Sequence, residues 1–365
     1  MRKKKAFWLI AFAYIITILG FTPDVQAEET GGIPQDVGGF SFELLFPENQ
    51  HNKEVGYFDL RVTPGQTQTV QVKMNNTSDK EIIVDVKLNS AKTNSNGVIE
   101  YGPNALEKDA SLTFDFIEIV TGPEEVVIPP NSEQMVDLEV RVPETSFSGY
   151  ISGGVQLQQK DDAAQEQKTG MVVNKFAYII GFQLSESDEM PEEELALNKV
   201  YPELQNYRNA VFINFSNIQP IYVNGMTVEA QIMRKGSNEV LYDTKKTKIR
   251  MAPNTMIDFP VSMNGEKMVA GDYQAKIVVT TEAGGRWEWD QEFTISDEEA
   301  DKFNNEDLTL VQSGGINWLL IGIIVGGLLI VIVVIFLIVR FFRKKNTKKK
   351  SSKSKGRKSP KKGKK

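Results

Sequence analysis

The chain has 365 residues, of which 41% are hydrophobic; it has no cysteine and one histidine, which excludes thiol catalysis and Cys/His zinc sites. Residues 28–307 carry 23 Lys and Arg against 47 Asp and Glu, a net charge of about −24, whereas residues 340–365 carry 15 Lys and Arg and no acid. The acidic part therefore does not attract nucleic acid or another polyanion by charge.

The N-terminus has the organisation of a signal peptide. Four basic residues lie within positions 1–5, and an apolar run follows at 6–21. Val25 and Ala27 place small residues at positions −3 and −1 of a cleavage site before Glu28. We predict a signal peptide over 1–27, and an uncleaved signal anchor is the alternative.

Short β-strands dominate the pattern from Phe40 to Ile295. Apolar and polar residues alternate in runs such as 70–74, 82–88 and 136–142, and turn residues such as Asn96-Gly97 separate the runs. Such spacing predicts packed sheets. We assign the first domain to 38–184, with its core at 38–158. Residues 105–109 are the one place where a helical turn is expected.

The domain boundary depends on two polar stretches. Residues 159–168 form one, and the acidic run 185–194 forms the other. The strand-like segment 171–184 lies between them, and we favour its pairing with 154–158 as a last hairpin. The second domain then covers 185–298, or alternatively begins near residue 170.

Seven further strands are predicted in the second half, at 195–204, 210–215, 226–233, 240–242, 255–261, 273–280 and 287–295. Tyr150 and Tyr273 each follow a glycine before a long strand late in their half, where immunoglobulin-like sandwiches place a tyrosine whose hydroxyl bonds to the backbone. We predict an all-β fold of two tandem immunoglobulin-like β-sandwiches followed by a single C-terminal transmembrane helix.

The C-terminal part supplies the membrane signal. Ser296 and Glu299 have the spacing of a capping box for a short helix to about residue 305. Residues 316–339 contain no charge and are long enough to span a bilayer. By the positive-inside rule, the basic tail 340–365 is cytoplasmic and the preceding part lies outside the cell.

Catalytic chemistry has little support in the sequence. His51 lies in a polar, loop-like run, so a Ser-His-Asp arrangement has no good candidate. A carboxylate pair has no local signature, and the acids at 161–162 and 192–194 read as solvated loop charges rather than calcium ligands. We expect no enzyme activity, no metal and no cofactor.

Several segments resemble the WxL-interacting proteins of Gram-positive bacteria. In the first half these are FSFELLFPENQ (40–50), GYFDLRVTPGQTQTV (56–70), NNTSDKEI (75–82), AKTNSNGVIEY (91–101) and FSGYISGGVQL (147–157). In the second half they are NKFAYIIGFQLSE (174–186), KIRMAPNTMIDFPV (248–261), AGDYQAKI (270–277) and WEWDQEFTIS (287–296). The likeness extends over nearly the whole of the part before the apolar helix.

This resemblance implies a cell-surface protein with a peptidoglycan-binding first domain and a second domain that binds host or matrix proteins. It also implies WxL-domain proteins as assembly partners and anchoring in the lipid bilayer, and it offers no nucleic-acid partner. The alternative is a membrane-tethered immunoglobulin-like chaperone for exported WxL proteins, which would release its client where a scaffold would keep it.

Four residues are candidates for partner contact. Strand 171–184 has apolar residues on both sides of its period, with Tyr178 and Ile180 on one face and Ala177 and Ile179 on the other. One face is expected to pack on its own core, and the other on the neighbouring domain or on a WxL partner. Trp287 and Trp289 share one face of their strand. They are either core residues or an exposed platform that binds a sugar or a protein partner.

Overall fold

The computed structural model describes residues 39–160, 176–312 and 318–350. The predicted signal peptide, the acids at 161–162 and the last residues of the basic tail lie outside these residues. Within them strands predominate, and the longer helices lie towards the C-terminus. The mostly β architecture with one apolar C-terminal helix is therefore confirmed.

The first half is built from two larger sheets. Its strands are β1 (Ser41–Leu45), β2 (Phe58–Arg61), β3 (Thr67–Asn76), β4 (Ile82–Ser90), β5 (Lys92–Thr93), β6 (Ile99–Glu100), β7 (Val120–Thr121), β8 (Glu125–Ile128), β9 (Ser132–Arg141), β10 (Ile151–Gln159) and β11 (Ala177–Ser185). One sheet has the order β1-β3-β9-β7, the other has the order β2-β11-β10-β4-β8, and β5 pairs with β6. β11 pairs antiparallel with β10 and parallel with β2, so the hairpin favoured from the sequence is present.

The two larger sheets of this half share one hydrophobic core. Alternate residues of β3 and β4, such as Val72 and Val84, are buried in it. Phe182 of β11 lies at its centre, with its ring centroid 4.6 Å from that of Phe58. Each fully buried side chain of this size contributes about 1.5–3 kcal/mol, so the alternation seen in the sequence is what holds the sheets together.

The expectation of a helical turn at 105–109 is wrong. That segment has no regular structure, and the short helix α1 (Phe116–Ile119) follows it. Asp115 is its N-cap, because its side chain accepts a hydrogen bond from the backbone N–H of Ile117.

The second half also has two sheets. Its strands are β12 (Leu195–Gln205), β13 (Arg208–Asn217), β14 (Val223–Arg234), β15 (Val240–Met251), β16 (Thr255–Ser262), β17 (Gly271–Thr280) and β18 (Arg286–Ile295). Their orders are β12-β13-β16 and β15-β14-β17-β18. Residues of both sheets form a second hydrophobic cluster separate from the first. All seven expected strands are present, but β15 extends nine residues beyond the predicted Tyr242, to Met251.

The two tyrosines that follow glycines behave differently. The Tyr273 hydroxyl donates a hydrogen bond to the Val269 carbonyl oxygen at 2.6 Å, so this tyrosine does tie back to the backbone. The Tyr150 ring instead faces Tyr222 of the second half, with ring centroids 5.6 Å apart. The same local sequence therefore serves a fold contact in one half and an inter-half contact in the other.

Three helices end the described chain: α2 (Asp297–Glu306), α3 (Leu308–Gln312) and α4 (Trp318–Lys350). The predicted capping box between Ser296 and Glu299 is confirmed in both directions. α2 buries Ala300 and Phe303 against the second core. Within α4, Ile321–Arg340 is long and apolar enough to cross a membrane, and the helix continues into the basic tail because Lys and Arg are good helix formers.

Candidate binding surfaces

The two halves meet along a seam of polar side chains. The Thr93 and Thr255 hydroxyls lie 2.7 Å apart, and Thr93 Oγ1 also accepts a hydrogen bond from the Ala252 N–H at 3.0 Å. Further along, the Ser216 hydroxyl donates to the buried Asp109 carboxylate. Since buried polar groups cost free energy unless they are paired, these bonds hold the halves in one arrangement.

Two glycines allow the backbones of the halves to approach closely. Gly149 has φ +75°, and a Cβ there would lie 2.1 Å from the Pro220 carbonyl oxygen. Gly97 has φ +71°, and its Cβ would overlap the Ile249 side chain at 2.2 Å. The Gly97 carbonyl oxygen accepts a hydrogen bond from the Arg250 N–H at 3.0 Å. A side chain at either position would force the halves apart.

A groove of about 530 Å³ opens where the outer face of the first half meets the second half. We call it the junction groove. It is lined by Gly56, Tyr57, Tyr101, Ile179, Gly181, Phe182, Gln183, Tyr222, Asn224 and Arg250. Three of its ten lining residues are tyrosines, and three come from the second half, so neither half forms it alone.

A pair of glycines shapes the floor of the groove. Gly154 of β10 and Gly181 of β11 are direct partners in the strand register. A Cβ on Gly154 would lie only 2.7 Å from the Tyr101 Cβ, so the absence of a side chain at Gly154 allows Tyr101 to pack directly on the backbone of the sheet. At Gly181 the nearest atom to such a Cβ is Tyr57 Cβ at 3.4 Å, which is an ordinary contact. Gly181 therefore forms the floor of the groove, and Tyr101 covers the neighbouring Gly154.

The phenol groups of the groove form a linked set. The Tyr101 hydroxyl donates to the Tyr222 hydroxyl at 3.4 Å, and Tyr222 also bonds to the Ser152 hydroxyl. Burial raises the pKa of Tyr222 well above its ordinary value of 10.0. Burial, together with the nearby charge of Asp59, also raises the pKa of Tyr57. The Tyr57 and Tyr222 phenols are therefore neutral at physiological pH and act as hydrogen-bond donors and acceptors.

One cation stands at the rim of the junction groove. The exposed Arg250 side chain donates from Nε to the Asn224 Oδ1 at 2.9 Å, which fixes its direction. Among the described residues no carboxylate lies within ion-pair distance of Arg250. Residues 28–307 are strongly acidic overall, and Arg250 nevertheless lines the groove without a carboxylate partner from the described residues.

The predicted contact residues on β11 are placed mainly in the core. Ile180 is 1% exposed within the first core, so it offers no surface to a partner in the folded protein, and its assignment as a contact is corrected on that ground. Tyr178 is half-buried, with its ring edge-to-face against Phe40 and Phe42. The opposite face of the strand carries Ile179, which is 44% exposed and lines the junction groove.

Trp287 and Trp289 of β18 share a face, as predicted from the alternation. Both are partly buried against the second core, and the Trp289 ring lies 5.7 Å from that of Phe215. The Trp287 indole N–H donates to the Glu194 carboxylate at 3.4 Å. Both side chains therefore pack in part against the second core and remain in part exposed, so their role as a partner-binding platform stays a prediction.

Other candidates have simpler surroundings. A second cavity of about 310 Å³ lies between the halves, beside Phe114, Phe147 and Pro220, and is lined entirely by uncharged residues. His51 is exposed and contacts Arg61 and Asp188, without a serine hydroxyl in its described contacts. Among the described residues no group of three or more metal-ligating side chains is assembled.

Sequence reasoning did not identify the junction groove. Its residues come from five separate segments, and its tyrosines have no common spacing. The only local signal was the Gly153-Gly154 pair in a strand, since glycine inside a strand marks a place where another group approaches closely.

Comparison with solved structures gives only distant similarity. A chaperone–tip adhesin complex of CFA/I fimbriae biogenesis is 10% identical, covering 64% of this chain and 93% of that chain, with a TM-score of 0.28. The class 5 fimbriae chaperone CfaA is 12% identical over 69% of this chain and 98% of that chain, with a TM-score of 0.27. The Pseudomonas aeruginosa CupB2 chaperone is 13% identical over 62% of this chain and 91% of that chain, with a TM-score of 0.24. Such scores carry no argument about function.

Comparison with family models is decisive. A search of curated proteins found no match. Residues 40–159 match the model described as WxL Interacting Protein, peptidoglycan binding domain. Residues 167–305 match WxL Interacting Protein, host binding domain, so that this match includes β11 although β11 pairs with strands of the first half. Together the two matches cover most of the sequence in the family's order, and the chain belongs to the WxL-interacting protein family.

Proposed function

We propose that this chain is a membrane-anchored binding and scaffold protein of the Gram-positive cell surface. Its first half binds peptidoglycan, its second half binds a host or matrix protein, and the whole associates with WxL-domain proteins. The observation that carries the proposal is the pair of family matches, which name peptidoglycan and host binding in that order along the chain. The sheet pairs, each with a core of its own, support two tandem immunoglobulin-like sandwiches as the scaffold.

Anchoring is part of the same proposal. The apolar segment Ile321–Arg340 spans the bilayer, the sandwiches lie outside, and the basic tail is cytoplasmic. α2 is docked on the second core, and Asp307 holds the start of α3 by accepting the Thr309 N–H at 2.7 Å. The second half is therefore the membrane-proximal one, and the first half extends into the wall.

Peptidoglycan binding is tested with the soluble fragment 28–307 and purified sacculi from which teichoic acids have been removed. The fragment is strongly acidic, so general charge attraction does not drive its binding to the wall. At roughly 0.3 M salt, exposed charges more than several ångströms apart are screened from one another. We therefore expect binding to persist at that salt concentration. Co-sedimentation measures it, with cellulose as the control polymer. Binding that disappears by that salt concentration, or that is equal on cellulose, contradicts the proposal.

A further inference from the structure

We propose that the junction groove is a saccharide site that takes an N-acetylated amino-sugar unit of the peptidoglycan glycan strand together with a carboxylate of its stem peptide, and that both halves of the protein form it. This inference rests on the proposed peptidoglycan binding and deepens it. It assigns contacts to Tyr222, Asn224 and Arg250, which lie in the part of the chain matched by the host binding domain.

The size and shape of the groove suit a sugar ring. Its volume of about 530 Å³ is within the range of pockets that take small ligands, roughly 300–1,000 Å³. Gly181 forms the floor of the groove, and Tyr57, Tyr101 and Tyr222 supply aromatic side chains to its lining. Pyranose rings have flat faces of C–H groups, which pack on the electron-rich faces of aromatic rings.

The polar groups suit the substituents of such a sugar. Gln183 Nε2 donates to Asp59 and Asn224 Oδ1 accepts from Arg250, so Gln183 Oε1 and Asn224 Nδ2 are left as an acceptor and a donor for hydroxyl and acetamido groups. The neutral Tyr57 hydroxyl adds a further donor. Arg250 supplies a cation for a carboxylate of the stem peptide, and its terminal N–H groups remain as donors because only Nε bonds to Asn224. The 310 Å³ cavity has no charged group and so lacks this match.

The seam between the halves prepares the site before the ligand arrives. Asn96 and Gly97 of the first half bond to Lys246 and Arg250 of β15, which sets the wall of the groove that carries the cation. A site that is already held in its binding geometry loses little conformational entropy on binding. Separation of the halves would therefore remove the Arg250 side of the groove.

The test uses the full-length chain in detergent and two probes, teichoic-acid-free sacculi and soluble disaccharide-peptide fragments of peptidoglycan. Arg250→Ala and Tyr57→Ala remove groove contacts, and Gly181→Val fills the floor at a backbone position that accepts a Cβ. We expect each to weaken binding of the soluble fragments by about tenfold or more, as loss of a main contact of this kind does.

Matched controls are available at the far end of the second half. Tyr207→Ala removes a tyrosine that is 66% exposed, and Arg208→Ala removes an exposed arginine. Arg208 starts β13 and Tyr222 follows the end of that strand, which places the controls about 30 Å away along it. We expect both controls to bind like the wild type, and melting temperatures check that every variant is folded.

The outcomes separate this inference from the function on which it rests. If the wild type binds neither probe, peptidoglycan binding itself fails. If the wild type binds sacculi while folded Arg250→Ala and Tyr57→Ala bind both probes as tightly as the wild type, peptidoglycan binding stands and the junction groove is not its site. If Tyr57→Ala weakens binding and Arg250→Ala does not, the shared site is overturned and the contact belongs to the first half alone.

Discussion

Two neighbouring isoleucines of β11 have opposite roles. Ile180 is 1% exposed in the first core, and Ile179 is 44% exposed in the junction groove. We expect Ile180→Asp to unfold the first half, because burying an unpaired carboxylate costs several kcal/mol. Ile179→Asp should keep the wild-type melting temperature within a few degrees, because surface substitutions usually change stability by less than about 0.5 kcal/mol. Thermal unfolding followed by circular dichroism compares the two, and equal destabilisation would contradict the assignment of the faces.

For single residues of β11, the sequence predicted which side chains share a face of the strand, but it did not predict which face packs in the core. Both faces of β11 are apolar, and periodicity alone ranks them equally. The structure gives the reason: one face packs in the core and the other lines a groove beside Gly102, where a Cβ would lie 3.3 Å from Ile179 Cδ1. An apolar residue outside the core was therefore a sign of the groove.

Among the elements, the end of α2 offers a pH-dependent contact. The Asp307 carboxylate accepts the Asn209 N–H at 2.8 Å and the Thr309 N–H at 2.7 Å. Burial alone would raise the pKa of Asp307, but these hydrogen bonds, with those from the Thr309 hydroxyl and the Leu310 N–H, outweigh it and hold the pKa below its ordinary value of 3.8. The ionised form is thus favoured in the folded protein. Its contribution to stability is complete above the ordinary pKa and is lost as the pH falls through the lowered one.

We therefore expect Asp307→Asn to lower the free energy of unfolding at about pH 7 by roughly 1–3 kcal/mol, the usual result of weakening a buried, charge-assisted set of hydrogen bonds. The difference from the wild type should shrink as the pH falls below the ordinary pKa of 3.8 and through the lowered pKa of the folded protein, where the wild-type carboxylate becomes protonated. Urea unfolding at several pH values measures both quantities. Asp301→Asn, on the exposed side of α2, is the control, and a difference that does not change with pH would show that the charge is not responsible.

The strands themselves were largely predictable, and β15 shows where the prediction stopped. Its residues beyond Tyr242 are mostly charged or polar, including Lys245, Lys248 and Arg250. β15 is an edge strand of its sheet and is exposed along much of its length, so it lacks the apolar alternation that reveals a strand. Lysines on an edge strand also discourage unwanted pairing with other strands.

For the whole molecule, the order of the parts could be read from the sequence and the contact between the halves could not. The seam uses Thr93, Ser216 and Thr255 with Asp109, small polar residues that are common on exposed strands and in loops and so do not indicate a contact between halves. Only the fold brings them opposite one another. The junction groove is a consequence of that contact, which is why a groove lined by both halves could not be seen in the sequence of either half.

The proposed orientation of the chain across the membrane can be tested directly. The chain has no cysteine, so a single introduced thiol reports its own side of the membrane. We expect Asn238→Cys, in the exposed turn between β14 and β15, to react with a membrane-impermeant maleimide on intact cells freed of their wall. Ser354→Cys in the basic tail should react only after permeabilisation, because the positive-inside rule keeps that tail in the cytoplasm. The cysteine-free wild type gives the background, and labelling of Ser354→Cys on intact cells would reverse the proposed orientation.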